Sequence, residues 1–125
     1  MTNLDIEKSF KNHFNNKLEN EECKFGDHTF IRIAATYVQQ TNYPTKFIAL
    51  EVFKRTSEGE LGLKKGDIEY LFSYFNLIRK NSDSWVRAKH HSLIPNADFL
   101  TLIKKAKTDK SFSAFISSLE DVLAE

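Results

Sequence analysis

The chain is poor in cysteine, glycine and proline, with one, four and two of them among its 125 residues. A single cysteine, Cys23, cannot form an internal disulfide, which favours an intracellular protein. The sequence has no run of about 18 apolar residues, so we expect no membrane span. Residues 1–8 lack the basic region and apolar run of a secretory signal. We therefore predict an intracellular protein, in the cytoplasm or nucleoid or in the nucleus.

The residue patterns of common enzymes are also missing. The glycines of residues 59–66 do not have the spacing of a P-loop or of a dinucleotide-binding turn. Cys23 and His28 lack the further ligands that a zinc site needs. We therefore expect no enzyme activity, no cofactor and no metal. The pair His90-His91 leaves a weaker alternative open, a nuclease that would use one of these histidines.

Aromatic residues, by contrast, are abundant. Eleven Phe, four Tyr and one Trp make up 13% of the chain. Hydrophobic residues make up 41% and charged residues 28%, which is typical of a globular protein, and the length fits a single domain, 1–125. A small core does not need so many rings, so we expect some of them to lie outside it.

The net charge of +1 is unevenly distributed along the chain. Residues 24–66 carry seven Lys or Arg against four acidic residues, and residues 76–110 carry eight against three. Residues 1–23 carry an excess of acidic residues. This distribution favours a protein with one basic face, and an ordinary solvated surface is the alternative.

Helical periodicity marks both ends of the chain. Apolar residues recur at every fourth position from Ile6 to Leu18 and predict an amphipathic helix over 3–20. After Asn96, two further apolar stripes with capping residues predict two C-terminal helices.

The middle of the chain has a period of two, which is typical of strands. Strands are predicted over 29–38 and 46–55, and a third begins at Leu61. From Ile68 to Lys80 the apolar residues return to helical spacing, in two stripes on opposite sides of a helix. The predicted fold class is α+β, an antiparallel β-meander of three to four strands with an amphipathic helix, plus N-terminal and C-terminal helices.

One face of the predicted sheet carries rings and basic side chains together. Arg32 lies on one strand of this face, and Phe53 and Arg55 lie on the next. Single-stranded nucleic acid needs such a surface, since bases stack on rings and cations follow the phosphates. The alternative is a sheet covered by helices on both faces, in which the rings belong to the core. Lysines at strand ends and turns add positive charge: Lys46, Lys54, Lys64 and Lys65.

The segment 46–61, KFIALEVFKRTSEGEL, is followed by Lys64-Lys65-Gly66 and resembles the core of the positive-cofactor-four (Whirly-like) family of single-stranded-DNA-binding transcription coactivators. That family has a lysine-led aliphatic strand, an acidic Glu-Gly-Glu turn and a basic pair before a glycine. The resemblance implies a dimer of curved antiparallel sheets that binds single-stranded DNA or melted duplex without catalysis. It divides the chain into an N-terminal helix (1–23), a coactivator-like sheet and helix (24–80) and a C-terminal helical extension (81–125).

The resemblance also implies roles for single residues. Lys46 would contact a phosphate at the start of its strand, and the basic pair would make a similar contact before the glycine. Tyr37 would stand near the stacking aromatic of the family. Arg55 occupies the position of a family tryptophan, which leaves stacking there to Phe53.

Two residues of the predicted loop 81–95, Trp85 and Arg87, would extend the groove, with anchoring of the loop by Trp85 as the alternative. The second stripe of the predicted helix 68–80 would form the dimer interface through Tyr70, Tyr74 and Leu77. The predicted nucleic-acid-binding residues are Arg32, Tyr37, Lys46, Phe53, Lys54, Arg55, Lys64, Lys65, Trp85 and Arg87.

We therefore predict a homodimer that binds single-stranded DNA without sequence preference, in transcription, replication or recombination. Melted duplex and RNA stay open as alternative ligands, and a polymerase or a recombination protein as a further partner. The chief alternative is a small protein-interaction module, such as an inhibitor or an immunity protein, whose apolar segment 68–80 binds a protein and which binds no nucleic acid.

Overall fold

The computed structural model describes residues 3–18, 22–77, 84–88 and 93–125, which form five β-strands, three α-helices and one short 3-10 helix. In chain order the elements are α1 (Asn3–Leu18), β1 (Glu22–Phe25), β2 (His28–Gln39), β3 (Lys46–Arg55), β4 (Ile68–Leu77), β5 (Trp85–Arg87), α2 (Asn96–Thr108), the 3-10 helix (Lys110–Phe112) and α3 (Ser113–Ala124).

The strands form one antiparallel sheet in the order β1-β2-β3-β4-β5, so each strand pairs with its neighbour in sequence. Such a meander forms because antiparallel strands can be joined by short connections. In the β2–β3 turn Asn42 adopts a left-handed conformation (φ 69°), which asparagine tolerates better than most residues. The predicted α+β class is confirmed, with five strands among the described residues where three to four were expected.

The two faces of the sheet are covered by different helices. Phe47 and Ala49 of β3 pack against the apolar stripe of α1, and we call this side the inner face. Leu50 and Val52 pack against α2 and the residues that follow it, and we call this side the outer face. The predicted N-terminal helix and the predicted alternation within β3 are both confirmed. The α1 residues of the inner core are Ile6, Phe10 and Phe14.

The segment that the sequence predicted as a helix, 68–80, contains strand β4, and its last three residues lie outside the described residues. Phe75 packs in the inner core, whereas the ring of Phe72 lies 5.7 Å from that of Phe99 on the outer face. A segment with apolar residues on two opposite sides can be either a helix or a strand that is covered on both faces. The aromatic residues of this segment favour the strand. The third strand expected at Leu61 is also wrong, since residues 61–66 form turns and irregular backbone.

A β-bulge in β2 changes the face that its side chains occupy. The register shifts between Arg32 and Ala34, which makes Ile33 the additional residue. Arg32 lies on the inner face before the bulge, and Tyr37 lies on the inner face after it. A strict period of two would have put Ile31 and Tyr37 on one face, but the additional residue puts them on opposite faces.

The sheet curls around its inner face until its two edges approach each other. The guanidinium carbon of Arg87 on β5 lies 5.5 Å from the ring centroid of Phe25 on β1. In a flat sheet these two edge strands would be about 19 Å apart, because neighbouring strands are spaced by about 4.8 Å. The curled sheet is therefore half a barrel, and the inner face lines its interior.

Candidate functional site

Six of the ten predicted nucleic-acid-binding residues converge on the inner face. They come from β2, β3 and β5, which the curl of the sheet brings together. Their side chains are buried or half-buried there, so for these six residues the prediction of a sheet face open to nucleic acid is wrong. The six residues are Arg32, Tyr37, Phe53, Arg55, Trp85 and Arg87.

Trp85 and Tyr37 belong to the ring cluster beneath α1. The indole Nε1–H of Trp85 donates to Ser9 Oγ over 2.9 Å. The rings of Trp85 and Tyr37 each lie 5.0 Å from the ring of Phe10. Burial raises the pKa of the Tyr37 hydroxyl, and the nearby Glu7 carboxylate adds to the rise. Trp85 lies in strand β5 rather than in the predicted loop, and its contacts anchor this strand to α1.

A network of buried charges occupies the middle of the inner face. The fully buried Glu51 accepts hydrogen bonds from Arg32 (Nη1 to Oε2, 3.4 Å) and from Arg87 (Nη2 to Oε2, 3.1 Å). Ser73 hydrogen-bonds to the same carboxylate and to Arg87. Arg32 also donates from Nη2 to the carbonyl oxygen of Phe14 over 2.7 Å, which ties β2 to α1. Two guanidinium groups thus share one carboxylate.

Sequence reasoning did not single out Glu51 and Ser73 for the site. The signal for Glu51 was an acidic residue inside the apolar run ALEVF, because a carboxylate in a buried strand requires a partner. Ser73 gave no such signal, since serine is tolerated on either face of a strand.

Phe53 and Arg55 form the end of the inner face that lies beyond this network. Phe53 is only 2% exposed, and its ring lies 5.4 Å from that of Phe25 and 6.0 Å from that of Phe30. Arg55 donates from Nε to Oε2 of Glu69 over 3.1 Å. With this burial, Phe53 does not present a ring face at the surface, where a nucleic-acid strand would run.

The four lysines of the predicted site lie away from the inner face. Lys54 is exposed on the outer face, and Lys64 and Lys65 are exposed in the β3–β4 connection. Lys46 is half-buried at the start of β3, with Nζ 4.9 Å from the ring centroid of Tyr43. The structure therefore divides the predicted site: the rings and the arginines lie on the inner face, and the lysines lie away from it.

The predicted dimer-interface residues also divide between the two faces. Tyr70 and Tyr74 lie on the outer face, whereas Leu77 packs against the inner core. A single interface made by these three residues is wrong, because they share a side only in a helix. Burial raises the pKa of Tyr74, and the charges of Asp98 and Tyr43 add to the rise.

Exposed apolar side chains on the outer face form a second candidate site, which we call the outer patch and define as Ile31, Ile68, Tyr70 and Phe72. Ile31 of β2 and Ile68 of β4 flank Lys54 of β3 in one row of paired residues. Tyr70 is 49% exposed, and Phe72 is 45% exposed. The sequence signal was the period of two in Ile68-x-Tyr70-x-Phe72, which the assignment to a helix obscured.

Helix α3 lies beside the outer patch and is itself poorly covered. The ring of Phe115 lies 5.0 Å from that of Tyr70. Ile116 is half-buried, and Val122 and Leu123 are exposed. Within the described part of the chain, none of the α3 side chains is fully buried.

Lys105 of α2 covers part of the free edge of β2. In the described ranges, β1 pairs with β2 only as far as Ile31. The Nζ of Lys105 donates to the carbonyl oxygen of Tyr37 over 2.5 Å and lies 5.0 Å from its ring centroid. Burial lowers the pKa of Lys105, although Glu7 acts in the opposite direction. A lysine at such an edge hinders pairing with a further strand.

Among the residues that the structure describes, no group of three His, Cys, Asp or Glu could hold a metal ion. None of the helices formed by those residues is long and apolar enough to cross a membrane. The pair His90-His91, the alternative nuclease site, lies outside the described residues.

Comparisons of this chain with protein-family models, with curated proteins and with solved structures find no match. The resemblance to the positive-cofactor-four family therefore stays a prediction from the sequence.

Proposed function

We propose that this chain is a protein-interaction module that binds a second protein through the outer patch. The observation that carries the proposal is the exposure of large apolar side chains on one sheet face, three of them along β4 and one, Ile31, across Lys54 on β2. A contiguous apolar surface of this kind marks interaction sites on soluble proteins. Aromatic residues such as Tyr70 and Phe72 are also enriched in the cores of such interfaces.

The poor cover of α3 gives independent support. An amphipathic helix packed on its own domain normally buries its apolar stripe. Phe115 and Ile116 are only half-buried, and Val122 and Leu123 are exposed. A partner on the outer patch would cover part of this stripe as well.

The row Ile31–Lys54–Ile68 indicates the chemistry of the partner. Two isoleucines flank one lysine across three paired strands. A matching surface is apolar, with a carboxylate placed opposite the ammonium group, because a lysine buried without a partner costs free energy.

The double variant Ile68→Glu/Phe72→Glu tests this function. The partner is identified by cross-linking and mass spectrometry in cells that produce the protein, and the complex is rebuilt from purified components. We expect the variant to lose affinity by about tenfold or more. The carboxylate introduced at position 72 would be buried in an apolar interface, and the one at position 68 would face Lys54 and compete with the carboxylate of the partner. Isothermal titration calorimetry measures the affinity.

The matched control is Leu61→Glu/Leu93→Glu, which makes the same change of charge at two fully exposed leucines outside the patch. It should bind the partner like the wild type. A reconstituted partner whose affinity is the same for wild type and patch variant would falsify the proposal, as would an equal loss in the control.

Sedimentation of the wild type alone tests the predicted homodimer, in which the partner would be a second copy.

As a second candidate we propose the single-stranded DNA binding predicted from the sequence, with the exposed lysines as its contacts. Its support is the exposure of Lys54, Lys64 and Lys65, together with the half-exposed rings of Tyr70 and Phe72 on β4, the strand that pairs with Lys54. Stacking on rings and neutralisation of phosphates by lysines are the two interactions that such binding requires.

Fluorescence anisotropy with a labelled oligo-dT at two salt concentrations tests this candidate. Changing Lys54, Lys64 and Lys65 to alanine should weaken binding and reduce the salt slope by about 2, since each phosphate contact on a single strand contributes about 0.7. The matched control is a triple alanine variant of three exposed lysines elsewhere, Lys104, Lys107 and Lys110. The candidate is rejected if the wild type does not bind, or if both variants weaken binding equally.

A further inference from the structure

We propose that the cavity at the far end of the inner face binds an uncharged aromatic ring compound. Most of its lining residues lie on the inner face, although Tyr70 of the outer patch also borders it. The proposal does not depend on the proposed function. Its volume is about 410 Å³, which lies within the range of small-molecule sites. The mouths of β-barrels are a common place for such sites, and the curled sheet has this shape.

The position of the cavity follows from how α1 fills the half-barrel. Helix α1 fills the interior next to Phe47 and Ala49 with three side chains, Ile6, Phe10 and Phe14. The interior beyond the Glu51 network is covered by β1 and by the β3–β4 connection instead of by the helix. The cavity is the space that remains between the side chains at this end.

Aromatic rings form the walls of the cavity. Phe25, Phe30 and Phe53 lie 5.4–6.0 Å apart between ring centroids, at angles of 58–79°. Leu63 and Leu71 complete the apolar lining. Tilted rings at these distances accept a further ring by edge-to-face or offset contact, which favours an aromatic ligand.

The charged groups at the cavity compensate one another. Arg55 pairs with Glu69, and its Nη1 lies 2.8 Å from Nδ1 of His28. Arginine has no acceptor, so Nδ1 of His28 accepts this hydrogen bond and the proton of the neutral imidazole lies on Nε2. The guanidinium carbon of Arg55 also lies 4.8 Å from the ring centroid of Phe30.

An uncharged ligand follows from this compensation. Arg55 already donates to both of its polar neighbours, and Glu69 already accepts from Arg55. A charged ligand would lose its hydration among the phenylalanine rings, and the described residues of the lining offer it no uncompensated charge in exchange. The site should therefore discriminate against both anions and cations of the same ring system.

Three probes with one ring system test the proposal: indole, the anion indole-3-acetate and the cation tryptamine. We expect indole to bind with a Kd of about 1 mM or tighter, as suits a ligand of nine non-hydrogen atoms. The two charged compounds should bind about threefold or more weakly. The proposal is overturned if indole does not bind at this concentration, or if either charged compound binds more tightly than indole.

The location is tested by Leu71→Trp, which places a ring in the cavity, with Val86→Trp on the outer face of β5 as the control. Leu71→Trp should weaken indole binding by about fivefold or more, and Val86→Trp should leave it unchanged. If Leu71→Trp does not fold, NMR spectra of the methyl-labelled wild type decide whether indole binds in the cavity. Indole must then shift the methyl signals of Leu63 and Leu71, and shifts confined to other residues would reject the site.

Discussion

Glu51 shows what a single residue decides in this fold. Its carboxylate lies on the central strand and interacts with Arg32, Ser73 and Arg87, which belong to β2, β4 and β5. It therefore connects four of the five strands from inside the half-barrel. Buried ion pairs are not a general source of stability, but the loss of one member leaves the others without compensation.

Replacing Glu51 by glutamine keeps the size of the side chain and removes its charge. We expect the free energy of unfolding to fall by about 3–5 kcal/mol, because an amide cannot compensate the two guanidinium groups that now share the buried carboxylate. Urea denaturation followed by circular dichroism measures the change. Glu58→Gln in the exposed β3–β4 connection is the matched control and should change stability by less than about 0.5 kcal/mol. Equal stabilities of Glu51→Gln and the control would show that the network does not require the charge.

At the scale of elements, α1 is the helix that closes the inner face. Phe10 is fully buried, and its ring lies 4.2 Å from the ring of Phe47, in a nearly parallel stack. It also contacts the rings of Tyr37, Phe75 and Trp85 on three other strands. One helical residue therefore packs against four strands.

Phe10→Ala should lower the free energy of unfolding by about 3–5 kcal/mol, because the cavity left among these rings cannot collapse fully. The control is Lys11→Ala, at the exposed neighbouring position of the same helix, for which we expect a change of less than about 0.5 kcal/mol. Urea titration measures both variants. A loss of less than about 1 kcal/mol in Phe10→Ala would mean that α1 contributes little to the core.

The elements differ in how well the sequence predicted them. The stripe of α1 has one period, and its helix is confirmed. The segment 68–77 contains apolar residues at both helical and strand spacing, so its pattern alone did not distinguish the two. The pairing of β4 with β3 and β5 resolves the ambiguity, because strands on either side satisfy its backbone.

At the scale of the whole molecule, the curl of the sheet separates two surfaces that the sequence treated as one. The inner face collects Arg32, Phe53 and Arg87 and closes over them. The outer face keeps Lys54 and Tyr70 exposed. The proposed binding of other macromolecules therefore uses the outer face, and the cavity proposed for a small ligand lies in the interior.

The sequence by itself determined the helix α1, the faces of β3 and the α+β class, because each depends on a periodicity within one short segment. Only the tertiary structure decided that the face with Phe53 and Arg55 is buried. It also decided that Arg87 on one edge strand contacts the ring of Phe25 on the other. Burial depends on which segment covers which face, and the curl depends on the twist of all five strands together and on the bulge at Ile33. Neither property is encoded in the spacing of residues along one strand, so the position of the candidate sites had to come from the folded chain.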